Sequence, residues 1–104
     1  MEATQDTELL RAGEVEAFPA AGLARVAGQP VVLSVREFNL LVALLRRAGQ
    51  VVSRQELYAA VWGGELRRDD RSVDVYVHKL RVKLGAELPG RHLIHTHFGF
   101  GYRV

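Results

Sequence analysis

Between Arg71 and Leu84 the sequence RSVDVYVHKLRVKL sets cationic, hydrogen-bonding and small branched apolar side chains at helical spacing. At about 100° per residue, Val73, Val77, Leu80 and Leu84 fall in one narrow sector, and Arg71, Val75, His78, Lys79 and Val82 lie roughly opposite. Guanidinium, ammonium and imidazole groups grip oxyanions and donate hydrogen bonds, whereas the two valines offer only methyl-sized contacts. A face turned to water would carry Glu, Lys and Gln throughout. The surface that meets both kinds of group is the DNA major groove, where phosphates line the walls, guanine presents N7 and O6, and thymine presents a methyl. On this reading Arg71 or Lys79 reads guanine or grips phosphate, and Val75 packs on a thymine methyl. Two other readings stay open from the wheel alone. The face is merely solvated, or Val75 and Val82 pack under a neighbouring element or a partner protein.

Other chemistries find little support. The chain has no cysteine, which excludes disulfide frameworks, Cys-ligated zinc and thiol catalysis. His92, His95 and His97 suggest a metal site, with His95 and His97 on one strand face, but no carboxylate or cysteine accompanies them. The reading preferred here has His97 partly packed and the others facing solvent or phosphate. No Ser–His–Asp order and no Gly-rich phosphate loop with a lysine is present, so neither an enzyme, a cofactor nor a small-molecule substrate is expected.

Charge supports an anionic partner. The whole chain of 104 residues carries a net +2, but residues 71–104 hold six basic side chains against two acidic, and residues 1–33 hold two against five. With 48% hydrophobic and 25% charged residues, the chain has the composition of one globular domain. No apolar run approaches the ~20 residues of a membrane helix. A cytoplasmic protein without a membrane partner is the expectation.

The elements that must position the basic face can be read in outline. Leu9–Arg11, Val15–Phe18, Leu23–Val26 and Val31–Leu33 alternate between glycine-marked turns, which predicts four short antiparallel strands, with the last turn at Gly28-Gln29-Pro30. Ser34-Val35-Arg36-Glu37 and Ser53-Arg54-Gln55-Glu56 are capping boxes, each opening a helix. The first helix carries Phe38, Leu41, Val42 and Leu45, broadened by Leu44, and closes at Arg46, Arg47 and Gly49. The second carries Leu57, Ala60 and Val61 and ends near Trp62. Asp69 or Asp70 caps the third, about 71–84, which stops at Gly85. Leu93–Thr96 and Tyr102–Val104 flank a tip at Phe98–Gly101, which predicts a hairpin. Helix, helix, basic helix, hairpin is the order of a helix-turn-helix extended by a wing. Trp62 has two readings: closing the core at a helix end, or touching DNA backbone.

Five blocks in register, Leu33–Leu41, Val51–Leu57, Val61–Gly63, Arg71–Val75 with Leu80–Gly85, and Thr96 with Gly99–Arg103, resemble the effector domain of OmpR/PhoB-type bacterial response regulators. The resemblance runs from about residue 8 to 104, with 1–7 expected to be a disordered segment or linker remnant. It implies an α+β winged helix: a four-stranded antiparallel sheet, three helices and a C-terminal hairpin. It further implies that the third helix enters the major groove, that the protein works at the bacterial nucleoid, and that members bind direct-repeat sites as head-to-tail pairs within phosphorelay signalling. Carried over by position, Arg71, Ser72, Val75, Tyr76, Lys79 and Arg81 match contacts to bases or phosphates, Trp62 a backbone contact, and Thr96 a wing phosphate contact. His78 stands where many members have arginine, and Arg103 belongs to the wing, 92–104. Phe98 stands where the family often has an arginine reaching into the minor groove; a phenyl ring there packs on sugars or wedges at a base step. Loop 63–70, with Glu65, Arg67 and Arg68, corresponds to the segment some members use to contact RNA polymerase. A winged helix used mainly for protein–protein contact is the alternative.

Overall fold

Short alternating segments make the expected sheet. The computed structural model describes residues 8–104, and the linker expected at 1–7 lies outside them. Strands β1 (Leu10–Ala12), β2 (Val15–Phe18), β3 (Leu23–Val26) and β4 (Gln29–Val31) pair antiparallel in chain order. Alternation puts Val15, Ala17, Ala24 and Val26 on the inner face, all buried. The last hairpin departs from expectation. Its turn is Ala27-Gly28, with φ 51° and 80°, and Val26 faces Gln29 across it. Two consecutive left-handed residues match the twist of a two-residue hairpin, so the turn closes earlier than Gly28-Gln29-Pro30. β4 therefore ends at Val31, and Val32 is exposed rather than paired.

Helix α1 (Val35–Leu45) opens on the Ser34–Glu37 capping box, and α2 (Arg54–Val61) on the Ser53–Glu56 box, both complete in each direction. Leu40, Leu41, Leu44 and Leu45 are buried in α1, while Phe38 and Val42 sit at the margin of the core. The buried sector is shifted from the expected stripe because α1 packs on β1 and β2 as well as on α2 and α3. In α2, Leu57 alone is fully enclosed, and Ala60 is exposed, against expectation. Each fully buried leucine contributes roughly 1.5–3 kcal/mol, and Leu40, Leu41, Leu44 and Leu57 share one core with the buried residues of α3 and the sheet.

Helix α3 (Ser72–Gly85) runs one residue past its expected stop, taking Gly85 into the last turn and ending at Ala86. Strands β5 (His95–His97) and β6 (Gly101–Arg103) form the hairpin, one or two residues from the expected positions. β6 has a second neighbour. The Val52 N–H donates to the Tyr102 carbonyl at 2.8 Å and the Val52 carbonyl accepts from the Tyr102 N–H at 3.0 Å, so the segment before α2 is stitched to the wing. Gly101 makes this possible: a Cβ there would stand 2.0 Å from the Val52 oxygen, at φ 145°. Gly49 N–H reaches the Val104 carbonyl at 2.9 Å and closes the same seam.

Candidate nucleic-acid interface

The inner face of α3 is the expected one. Val73, Val77, Leu80 and Leu84 are all buried. This burial turns Arg71, Val75, His78, Lys79 and Val82 to the outside, where all five are exposed. Val75 and Val82 keep 47% and 59% of their surface open, so no element of the described residues covers them. His78 and Lys79 form no ion pair among the described residues; the Lys79 ammonium rests 4.7 Å from the Tyr76 ring centre. Neither Asp69 nor Asp70 takes the cap position expected of it: Arg71 occupies the N-cap and makes no side-chain cap bond, while Asp70, one residue earlier, accepts through Oδ1 from the Ser72 N–H at 2.8 Å and the Ser72 hydroxyl at 2.5 Å.

Not every candidate reaches this face. Arg81 turns toward the wing, where its guanidinium donates to the Ile94 carbonyl at 2.9 and 3.2 Å and to Thr96 Oγ1 at 2.6 Å. Arg81 and Thr96 are thus brought together, but mainly onto each other. Arg103 donates through Nε to His97 Nε2 at 3.1 Å, and both side chains are half-buried. Trp62 stands at the junction of the three helices. It stacks on Tyr58 with ring centres 5.3 Å apart, meets Tyr76 edge-on at 5.4 Å, and has the Arg36 guanidinium 5.1 Å over it. Trp62 is half-buried and packs against the core at the end of α2, which is the first of its two readings. At the wing tip, Phe98 and Phe100 are 87% and 75% exposed. Glu65, Arg67 and Arg68 are exposed on their loop, His92 is exposed on the segment before β5, and His95 is exposed at the start of β5. Among the described residues no three His, Cys, Asp or Glu side chains are grouped to hold a metal.

One part of the site was not anticipated. Asp74, the sole acid of α3, accepts from Arg54 Nε at 2.8 Å and from the Tyr102 hydroxyl, with Arg71 Nη1 3.5 Å away. Burial pushes its carboxyl up, but the hydrogen bonds from Arg54 and Tyr102 prevail and hold it below the usual aspartate range. The same enclosure, with the Asp74 charge, raises the Tyr102 phenol. The network ties α2, α3 and β6 together under the open face. The available signal was an acid alone in a basic helix, with a tyrosine fixed after the wing glycine.

A second tie joins α3 to α1. Lys83 Nζ lies 2.7 Å from Glu37 Oε1, the oxygen that also receives the Ser34 N–H at 2.8 Å. Burial raises Glu37, while Lys83 and Ser34 outweigh it and leave the carboxyl lowered.

A short helix braced against a longer one with a basic outer side, followed at once by a hairpin packed on it, defines a winged helix-turn-helix. The chain belongs to the family described as "Transcriptional regulatory protein, C terminal", whose model matches residues 28–104, and so to the OmpR/PhoB-type effector domains. It is 36% identical to the sensory transduction protein RegX3 of Mycolicibacterium smegmatis, over 99% of this chain and 45% of that protein. It is 39% identical to the transcriptional regulatory protein PrrA of Mycobacterium leprae, over 96% of this chain and 42% of that one. The chain thus spans less than half the length of these relatives. Among solved structures, the DNA-binding domain of CpxR from E. coli superposes with a TM-score of 0.83 at 33% identity, covering 94% of this chain and 96% of that one. The Klebsiella pneumoniae RstA DNA-binding domain, solved in complex with the RstA box, gives 0.82 at 30% identity, covering 92% and 95%. No helix among the described residues is long and apolar enough to cross a membrane.

Proposed function

We propose that this chain binds double-stranded DNA sequence-specifically as the output domain of a transcriptional regulator, with α3 in the major groove and the hairpin as a wing on backbone or minor groove. The observation that carries this reading is the open side of α3, where Arg71, His78 and Lys79 flank two exposed valines. Arg71, Lys79 and His78 are the donors to phosphate or base edges, and Val75 is the methyl contact. Ser72, Tyr76 and Trp62 line the helix junction beside them, and Arg81, Thr96 and Arg103 set the wing at its angle. Two further elements of the reading rest on the family resemblance: binding to direct repeats as a head-to-tail pair, and contact of loop 63–70 with RNA polymerase.

Selection from random duplex oligonucleotides tests the reading and yields motif and half-site spacing together. If about five phosphates are neutralised, log K should fall against log[salt] with a slope near −4 to −5. A flat salt response, or no retarded duplex at low ionic strength, would transfer the valine face to a protein partner.

A further inference from the structure

A cleft of about 310 Å³ opens between the start of α3 and the tip of the wing. Arg54, Arg67, Arg68 and Arg71 line it, and Gly99 and Phe100 form its far edge. Two carboxylates temper this charge without cancelling it. Asp70, also in the lining, has its Oδ1 engaged by Ser72, and Asp74 serves Arg54 at 2.8 Å and Arg71 at 3.5 Å. Arg67 and Arg68 have no ion-pair partner among the described residues. Unpaired guanidiniums on a concave wall focus a positive field and wait for an anion with several acceptor oxygens.

Duplex geometry says which anion fits. A ridge of phosphates separates each major groove from the minor groove beside it. A protein with one element in each groove must straddle that ridge, and the hollow between the two elements receives it. Here the hollow between α3 and the wing tip is the arginine cleft. We propose that Arg67 and Arg68, together with Arg54 and Arg71, clasp the phosphodiester ridge between the groove taken by α3 and the groove faced by the wing tip. This rests on the DNA-binding reading above and refines it. It also divides loop 63–70 in two: Arg67 and Arg68 turn to the nucleic acid, while Glu65 lines an adjoining hollow with Ala59, on the other side of Gln55 and Leu66, and remains the side for a protein partner.

The test is a salt titration with a duplex selected by the unaltered protein. Arg67→Gln/Arg68→Gln should reduce the steepness of log K against log[salt] by about 2, near 0.9 for each phosphate released. Base preference should stay as it was, and Arg67→Lys/Arg68→Lys should keep the original slope. Ethylation interference with the unaltered protein gives a second readout, independent of any variant's folding: blocked binding is expected at phosphates between the two contacted grooves. An unchanged slope in the glutamine variant, or no interference at those phosphates, overturns the proposal. So does an unchanged slope combined with lost RNA-polymerase-dependent transcription, which would give both arginines to the protein partner. If the unaltered protein binds no duplex at all, the failure lies with the broader reading instead.

Discussion

Arg81 Nη2 donates to Thr96 Oγ1 at 2.6 Å, and the same guanidinium caps the Ile94 carbonyl, so one side chain of α3 fixes where the hairpin stands. An arginine and a threonine that both look like DNA contacts in the sequence are in the fold a bracket between α3 and the hairpin. Replacing Arg81 by methionine leaves a part-buried carbonyl without its donor, at a cost of about 1–3 kcal/mol. Urea denaturation should show this loss, and DNA affinity should fall with it. Stability equal to that of the unaltered protein would return Arg81 to the set of direct contacts.

Lys79 and Val75 should behave in the opposite way, because both are open and neither supports the core. Lys79→Ala should change stability by no more than about 0.5 kcal/mol while lowering the salt slope by about 1. Val75→Ala should lower affinity by about 1 kcal/mol and relax preference at a single base pair. Selection experiments on the two variants separate these effects. An intact preference after Val75→Ala would remove the thymine-methyl assignment.

Acid stability should depend on Glu37. Its folded carboxyl is lowered relative to the unfolded chain, so it contributes stability above the ordinary carboxylate range, which is lost as pH falls through the folded value. Glu37→Gln should destabilise at pH 7 and flatten the decline of stability below pH ~5. Glu56, held at about 2 by the Ser53 N–H and Arg47, retains its charge to lower pH than Glu37's ordinary counterpart would. Denaturant midpoints from pH 7 to 3 for both proteins give the comparison; parallel curves would refute it.

Gly101 should tolerate no side chain. Alanine there would force the Val52 carbonyl away from a Cβ 2.0 Å distant, at a φ that L residues rarely adopt. A loss of about 3 kcal/mol is expected, together with faster hydrogen exchange at the Val52 and Tyr102 amides. Gly99→Ala, with open space around it, should cost less, about 1 kcal/mol, from its φ of 84° alone.

Phe98 should matter to DNA and not to the fold. At 87% exposure its ring supports nothing, so Phe98→Ala should leave the thermal midpoint in place. Affinity for a selected duplex should drop roughly tenfold if the ring packs on sugars or a base step. Unchanged affinity would place the ring outside the interface.

The capping boxes, the burial sector of α3 and the alternation of β2 and β3 were legible because each is local: the signal lies within a few residues. The end of β4 was misplaced because Ala27, without the usual glycine, adopts a left-handed conformation, which composition does not announce. Gly85 reads as a stop by its residue type, yet it continues α3 after the buried Leu84, and Ala86 is the C-cap. In the site, the outward set of Arg71, Val75, His78 and Lys79 followed from periodicity. The inward turn of Arg81 did not, since its partners Ile94 and Thr96 are 13 and 15 residues away. The Asp74–Arg54–Tyr102 network was hidden for the same reason: its members lie 20 and 28 residues apart and meet only in the fold.

Pro30 lies in β4, an outer strand of the four-stranded sheet, opposite Arg25 and one step beyond the turn-closing pair Val26–Gln29. In a two-residue hairpin that closing pair exchanges its hydrogen bonds inward, so the next residue's nitrogen points away from the sheet. There a proline has no hydrogen to offer. The flank of the molecule that would otherwise recruit a stray strand is interrupted at its middle residue, and fibrillar self-assembly along that margin is discouraged without any loss of internal pairing.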